Sequence, residues 1–365
     1  MRSLRPRHRR LAAGGQARGS VLPRRPGPGR ARRAGPIPIV VVPRLRTGAV
    51  GERLRVVGPT VANYLRRYVF APRYRPNEQL RLASSDGTRL SAARLEGPPS
   101  APATVVLVHG FVNSSRTPAI HDFARRLARG VHVIVPDLRG HGGSGGRCSM
   151  GVEEPEDVAA AVAAAAPGLP VVTVGTSLGG ASVLLHAGRF AGVAGTVAIS
   201  APAWWGSFER EGSDRVRRFI GSPVGRTVLG VLLRTRVVSS CEGVPDSSEV
   251  VGSISPAFTV VVHDPDDGYF GPEHAERLYH WARQPKDLWW YPGAGHGTDL
   301  LTPELAERLL LEIDVRLRPS AALTTAAVPA RGPDQNHGAG GARGWAPRRA
   351  ARHHLARRGR PSPWP

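Results

Sequence analysis

The chain has 365 residues, two cysteines and a formal net charge of +22, from 50 Lys+Arg against 28 Asp+Glu. That length is ample for a sizeable core, and two cysteines exclude a disulfide-stapled scaffold or a zinc site of closely spaced thiolates. The charge sits at the ends: residues 76–330 carry 23 basic and 26 acidic residues, which excludes a basic binding domain for the middle of the chain.

In chain order, residues 1–58 are an Arg/Pro-rich lead; the first 35 residues alone hold 11 arginines and no acid. Too few large apolar residues are present to offset ordering entropy, so disorder is predicted there. Arms of this kind suit nucleic acid or an anionic surface, and such a binder is the alternative from a different functional class. Residues 59–78 are read as a docking helix and linker, with Val61, Tyr64, Leu65, Tyr68 and Val69 on one face and Pro72 as the stop. The first 35 residues lack the apolar run of ~7–15 residues that a secretory leader needs. No stretch reaches the ~20 apolar residues of a membrane span. The expectation is a cytoplasmic protein with no transmembrane segment.

From residue 79 the pattern changes. Residues 79–84 and 89–95 flank the turn Asp86-Gly87 and read as a hairpin. Short β-branched runs follow at 104–108, 131–135, 171–174, 195–199, 258–262 and 287–291. Nearly continuous apolar strands of this length suit a parallel sheet covered on both faces. Helical segments lie between and after them at 118–129, 153–165, 179–189, 272–283 and 303–317. The predicted fold class is α/β: a mostly parallel, doubly wound sheet with an N-terminal antiparallel hairpin. Almost sixty residues separate the runs at 195–199 and 258–262, where a crossover needs only about a dozen. Residues 203–250 are therefore read as a small lid insertion, within a domain spanning 79–318. Residues 319–365 form a second basic tail, also predicted to be disordered.

The sharpest motif is Gly175-Thr176-Ser177-Leu178-Gly179, directly after one strand and directly before a helix. A serine in G-x-S-x-G sits on a tight turn that exposes its hydroxyl, and the N–H of the next residue, Leu178, is available to a developing oxyanion. A serine needs a neighbouring imidazole to take its proton, and a carboxylate to hold that imidazole in the right tautomer. With this motif the chain resembles the α/β-hydrolase superfamily of serine hydrolases, over about residues 80–317. Further segments match in order. His109-Gly110-Phe111 stands where the family places its other oxyanion donor, the Phe111 N–H. Residues 137–144, Asp137-Leu138-Arg139-Gly140-His141-Gly142-Gly143-Ser144, match D-x-R-G-x-G-x-S. Residues 263–270 (HDPDDGYF) resemble H-G-x-x-D-x-x-[VF], and Gly293-Ala294-Gly295-His296 matches G-x-G-H.

The resemblance implies an α/β-hydrolase fold, Ser177 as nucleophile, His296 as general base and Asp267 as its acid. Asp264, Asp266 and Asp267 share one loop, and motif register selects Asp267, with Asp264 in the usual glycine position. The implied reaction is hydrolysis of a carboxylic ester or related small acyl substrate through an acyl-enzyme, with no cofactor and no metal. Thioester and amide substrates remain open on the same triad. Trp204 and Trp205 are read either as lining a substrate pocket or as sealing the lid onto the core.

Overall fold

A computed structural model describes residues 78–317, apart from 191, 206–209 and 240–242. The basic lead, the helix read at 60–70 and the basic tail lie outside the described residues. The strands are β1 (Glu78–Ala83), β2 (Arg89–Leu95), β3 (Thr104–Val108), β4 (His132–Pro136), β5 (Val171–Thr176), β6 (Gly195–Ile199), β7 (Phe258–His263) and β8 (Lys286–Trp290). The helices are α1 (Pro118–Leu127), α2 (Glu154–Ala163), α3 (Leu178–Arg189), α4 (Glu211–Gly221), α5 (Pro223–Leu232), α6 (Pro272–Trp281) and α7 (Pro303–Leu317). The eight strands form one sheet in the order β1-β2-β4-β3-β5-β6-β7-β8. β1 pairs antiparallel with β2, and β2 with β4, while the pairs from β4 through β8 are parallel.

Side-chain alternation divides the core. Val105, Leu107, Val133, Val135, Val172, Val174, Val197, Ile199, Val260 and Val262 face one side, where Phe123 and Leu127 of α1 meet Leu305, Leu309 and Ile313 of α7. Val106, Val108 and Ile134 face the other, against Val158 of α2 and Leu178, Ala181 and Val183 of α3. Ala198, Val261 and Leu288 continue that second face against Ala275 and Leu278 of α6. The period of two along each strand is what lets both faces be apolar. Filled on both sides, β3, β5, β6 and β7 are buried along their whole lengths. The edge strand β1 instead alternates between exposed and half-buried residues.

Between β6 and β7 the inserted segment folds as α4 and α5. Ser222 separates them; its hydroxyl accepts the Gly225 N–H at 3.3 Å, and Pro223 opens the second helix. Ile220, Leu229 and Leu233 of the insertion share one apolar cluster with Val106, Val108 and Met150. After α5, an isolated bridge pairs Val237 with Cys148. The insertion is thereby anchored to the domain on the α2–α3 side of the sheet.

Candidate active site

β5 runs two residues further than the β-branched run alone predicts. Gly175 still pairs with Val108 of β3, and Thr176 with Ile199 of β6. The chain then turns within one residue: Ser177 has φ 53° and ψ −117°, and α3 begins at Leu178. The flanking glycines are obligatory by contact. A Cβ on Gly175 would lie 2.2 Å from the Gly179 carbonyl oxygen, and one on Gly179 would lie 2.4 Å from that of Val108. Ser177 itself is only half-buried among buried neighbours.

The base and the acid arrive from the carboxyl ends of the last two strands, as an open α/β sheet leads one to expect. His296 precedes the 3-10 turn Gly297–Leu300, and its Nε2 lies 2.9 Å from the Ser177 hydroxyl. Its Nδ1 lies 2.6 Å from Oδ2 of Asp267, a fully buried residue. Burial works to raise the Asp267 carboxyl, but the charge and hydrogen bond of His296, with the Tyr269 N–H, outweigh it and hold the group below its ordinary value. A carboxylate accepts only, so Nδ1 carries the hydrogen, and the Nε2 lone pair faces the serine. This tautomer is the one able to take a hydroxyl proton.

Of the three acids on the β7 loop, Asp267 meets the imidazole, Asp266 is exposed, and Asp264 does something the sequence pattern does not suggest. Buried at 1% exposure, Asp264 accepts the N–H groups of Asp266 (2.9 Å) and Gly293 (3.0 Å) on Oδ1, and that of Gly295 (2.6 Å) on Oδ2. One carboxylate thus clasps the acid loop to the loop that carries His296. Ser200, at φ 50° just past β6, holds the same loop from the other side by accepting the Gly297 N–H at 3.0 Å. Tyr269 stacks on the His296 ring with centroids 4.2 Å apart. None of these three stands out in a local pattern, because each acts on residues distant in sequence.

The two expected oxyanion donors flank Ser177. Leu178 is the first helical residue of α3, where a backbone N–H has no partner inside the helix. Phe111 follows Gly110, at which a Cβ would lie 3.2 Å from that of Ser177. Burial drives the His109 pKa down to about 4. Its Nε2 accepts the Leu138 N–H at 3.0 Å and its Nδ1 meets the Gly110 carbonyl at 2.8 Å, so this neutral ring joins the Phe111 loop to the loop after β4. In that second loop Asp137 accepts from Ser115 and Gly143. Arg139 is buried against Asp157 of α2 and reaches Asp86 and Ser84 in the β1–β2 turn. The D-x-R-G-x-G-x-S segment is scaffolding.

Trp205 is 5% exposed and sits edge-on to Phe270, centroids 6.2 Å apart; Phe270 in turn lies 5.7 Å from the His296 ring. Trp204 stacks on His274 of α6 at 3.8 Å. Both indoles therefore pack the start of the insertion onto the β7–α6 region. Among the described residues no group of three or more His, Cys, Asp or Glu could hold a metal ion. No helix among them is long and apolar enough to cross a membrane.

A family model for the alpha/beta hydrolase family matches residues 105–313. The chain belongs to that family. This α/β-hydrolase is 34% identical over 106 residues to a monoacylglycerol lipase of Mycolicibacterium smegmatis, a stretch covering 27% of this chain and 37% of the lipase. The match therefore spans little more than a third of that relative. An esterase of Pyrococcus furiosus superposes with a TM-score of 0.52 at 19% identity, covering 72% of this chain and 97% of the esterase. The alpha/beta hydrolase GrgF from Penicillium sp. sh18 gives 0.54 at 17% identity, covering 67% of this chain and 99% of that one. At these identities the structural likeness is one of fold.

Proposed function

We propose that this α/β-hydrolase is a serine hydrolase that cleaves a carboxylic ester or related small acyl substrate through an acyl-enzyme. The observation that carries the reading is the continuous hydrogen-bonded chain from Asp267 through His296 to Ser177. Ser177 Oγ attacks the carbonyl carbon while its proton passes to His296 Nε2, and Asp267 stabilises the resulting imidazolium. The oxyanion is received by the N–H groups of Phe111 and Leu178, and losing one such donor typically costs ~2.7–4 kcal/mol of transition-state stabilisation. Collapse of the tetrahedral intermediate expels the alcohol, which takes the proton from Nε2. Water then attacks the acyl-enzyme by the same route, returning the proton to Ser177 and releasing the acid. Residues 203–250 act as the lid over this crevice. The choice of an ester over other acyl derivatives is supported by the partial likeness to a monoacylglycerol lipase.

The test is hydrolysis of p-nitrophenyl esters of increasing acyl length by wild type and Ser177→Ala. Wild type is expected to turn over with a clear chain-length optimum, and the variant to lose about a thousandfold or more in kcat/KM. Equal rates in the two proteins would refute the assignment of the nucleophile. Turnover of thioesters or amides alone would keep the residues and move the substrate class.

A further inference from the structure

In the proposed reaction His296 becomes a cation each time it takes a proton, and whatever stabilises that cation lowers the barrier. The Asp267 carboxylate meets one edge of the ring, at Nδ1. Aromatic rings lie beside the rest of it. Tyr269 is stacked on the imidazole with centroids 4.2 Å apart and planes 28° apart, so the imidazole sits over the face of the phenol ring. Phe270 stands tilted at 57°, its centroid 5.7 Å away. Both separations fall within the ~6 Å over which an aromatic face attracts a cation. The His296 side chain is only 16% exposed, so water screens little of that attraction.

The stack is held from more than one direction. Asp267 bonds the imidazole through Oδ2, while its Oδ1 accepts the N–H groups of Tyr269 at 2.7 Å and Phe270 at 3.2 Å. One carboxylate therefore fixes the base and the backbone of both aromatic residues. Gly212 of α4 closes on the same phenol ring: a Cβ there would lie 3.0 Å from two of its carbons. The ring has no free space on that side. A neutral imidazole gains little electrostatically from an aromatic face, whereas a cation is drawn to the negative charge the face carries. The contact is thus stronger in the transition state than in the resting protein, which is the condition for it to raise the rate.

We propose that Tyr269 is a positioning residue whose ring face stabilises the cationic form of His296 while Ser177 attacks. The proposal rests on the hydrolase reading, so Ser177→Ala is assayed beside every variant, in the full-length protein on p-nitrophenyl acetate. Tyr269→Leu removes the ring and is expected to lower kcat and kcat/KM together, about 5–30-fold, with KM held within about twofold. Tyr269→Phe should recover most of that loss. Leucine also alters packing, so the deciding series keeps the shape of the ring. Phenylalanines with successive ring fluorines are placed at Tyr269, each fluorine withdrawing negative charge from the face. Log kcat is expected to fall with each fluorine, while the melting temperature stays that of Tyr269→Phe. A kcat that is flat across the series, with Ser177→Ala inactive, would overturn the proposal and leave the nucleophile standing. Turnover undiminished by Ser177→Ala would overturn both.

Discussion

Asp264 occupies the place where the H-G-x-x-D pattern carries glycine, and its buried carboxylate fastens two loops whose separate tips hold Asp267 and His296. Replacing it by alanine strips acceptors from three N–H groups, and each buried donor left unpaired costs about 1–3 kcal/mol. Asp264→Ala is expected to lower kcat on a p-nitrophenyl ester about 10–100-fold, with KM within about twofold, because the base loop loses its register while the lid-side contacts persist. Asp264→Asn, which keeps one acceptor oxygen, should fall between. Steady-state kinetics beside a melting curve check this; a wild-type kcat in the alanine variant would show that the clasp does not position the base. Ser177, Asp267 and His296 were legible because each lies in a short motif with a fixed chain order. Asp264 was not, because its partners Gly293 and Gly295 lie 29 and 31 residues away. Ser200 was hidden for the same reason, 97 residues from Gly297.

Among elements, the strand–turn–helix at Ser177 was legible because a β-branched run, two glycines and a helical pattern follow one another without a gap. The exact end of β5 was not, since Gly175 is a poor strand former held in the sheet by pairing with Val108 on one side and Ala198 on the other. How the lid meets the site was also illegible, since it depends on a contact between distant loops. The N–H of Gly212, in the first turn of α4, donates to the Gly268 carbonyl at 3.2 Å. A Cβ at Gly212 would lie 3.0 Å from the Tyr269 ring, which stacks on His296. The lid helix thus backs the ring that backs the base. Gly212→Val is expected to push that ring aside and lower kcat about tenfold, at a folding cost of about 1–3 kcal/mol for the overpacked contact. Kinetics that match wild type at an unchanged melting temperature would separate the lid from the base.

For the whole molecule, the alternation of strands and helices foretold a doubly wound sheet. The order β1-β2-β4-β3-β5-β6-β7-β8 needs contacts between non-consecutive strands, which no local pattern states. The same burial that makes the core dry sets its pH response. Burial lowers the histidines His109 and His186 to about 4, and His141 and His274 to about 3. The unfolded chain protonates them near the ordinary value of about 6.5, so between that pH and about 4 the unfolded state binds more protons. Stability therefore falls as pH drops through this window, and is unaffected by these groups above it. By pH 5 each such histidine costs about 2 kcal/mol, which corresponds to roughly 4–8 °C in Tm. A melting series from pH 8 to about 4 should be flat at first and then fall steeply below about 6.5; a Tm constant down to about 4 would contradict neutral burial of these rings.

The most direct measurement of the central claim is phosphonylation by a fluorophosphonate, read by intact mass and peptide mapping. Such a reagent mimics the tetrahedral intermediate and captures only a serine whose proton is being removed. The account predicts one adduct, on Ser177, absent in Ser177→Ala and formed at least about a hundredfold more slowly in His296→Ala. An adduct on another serine, or an undiminished rate without His296, would contradict it.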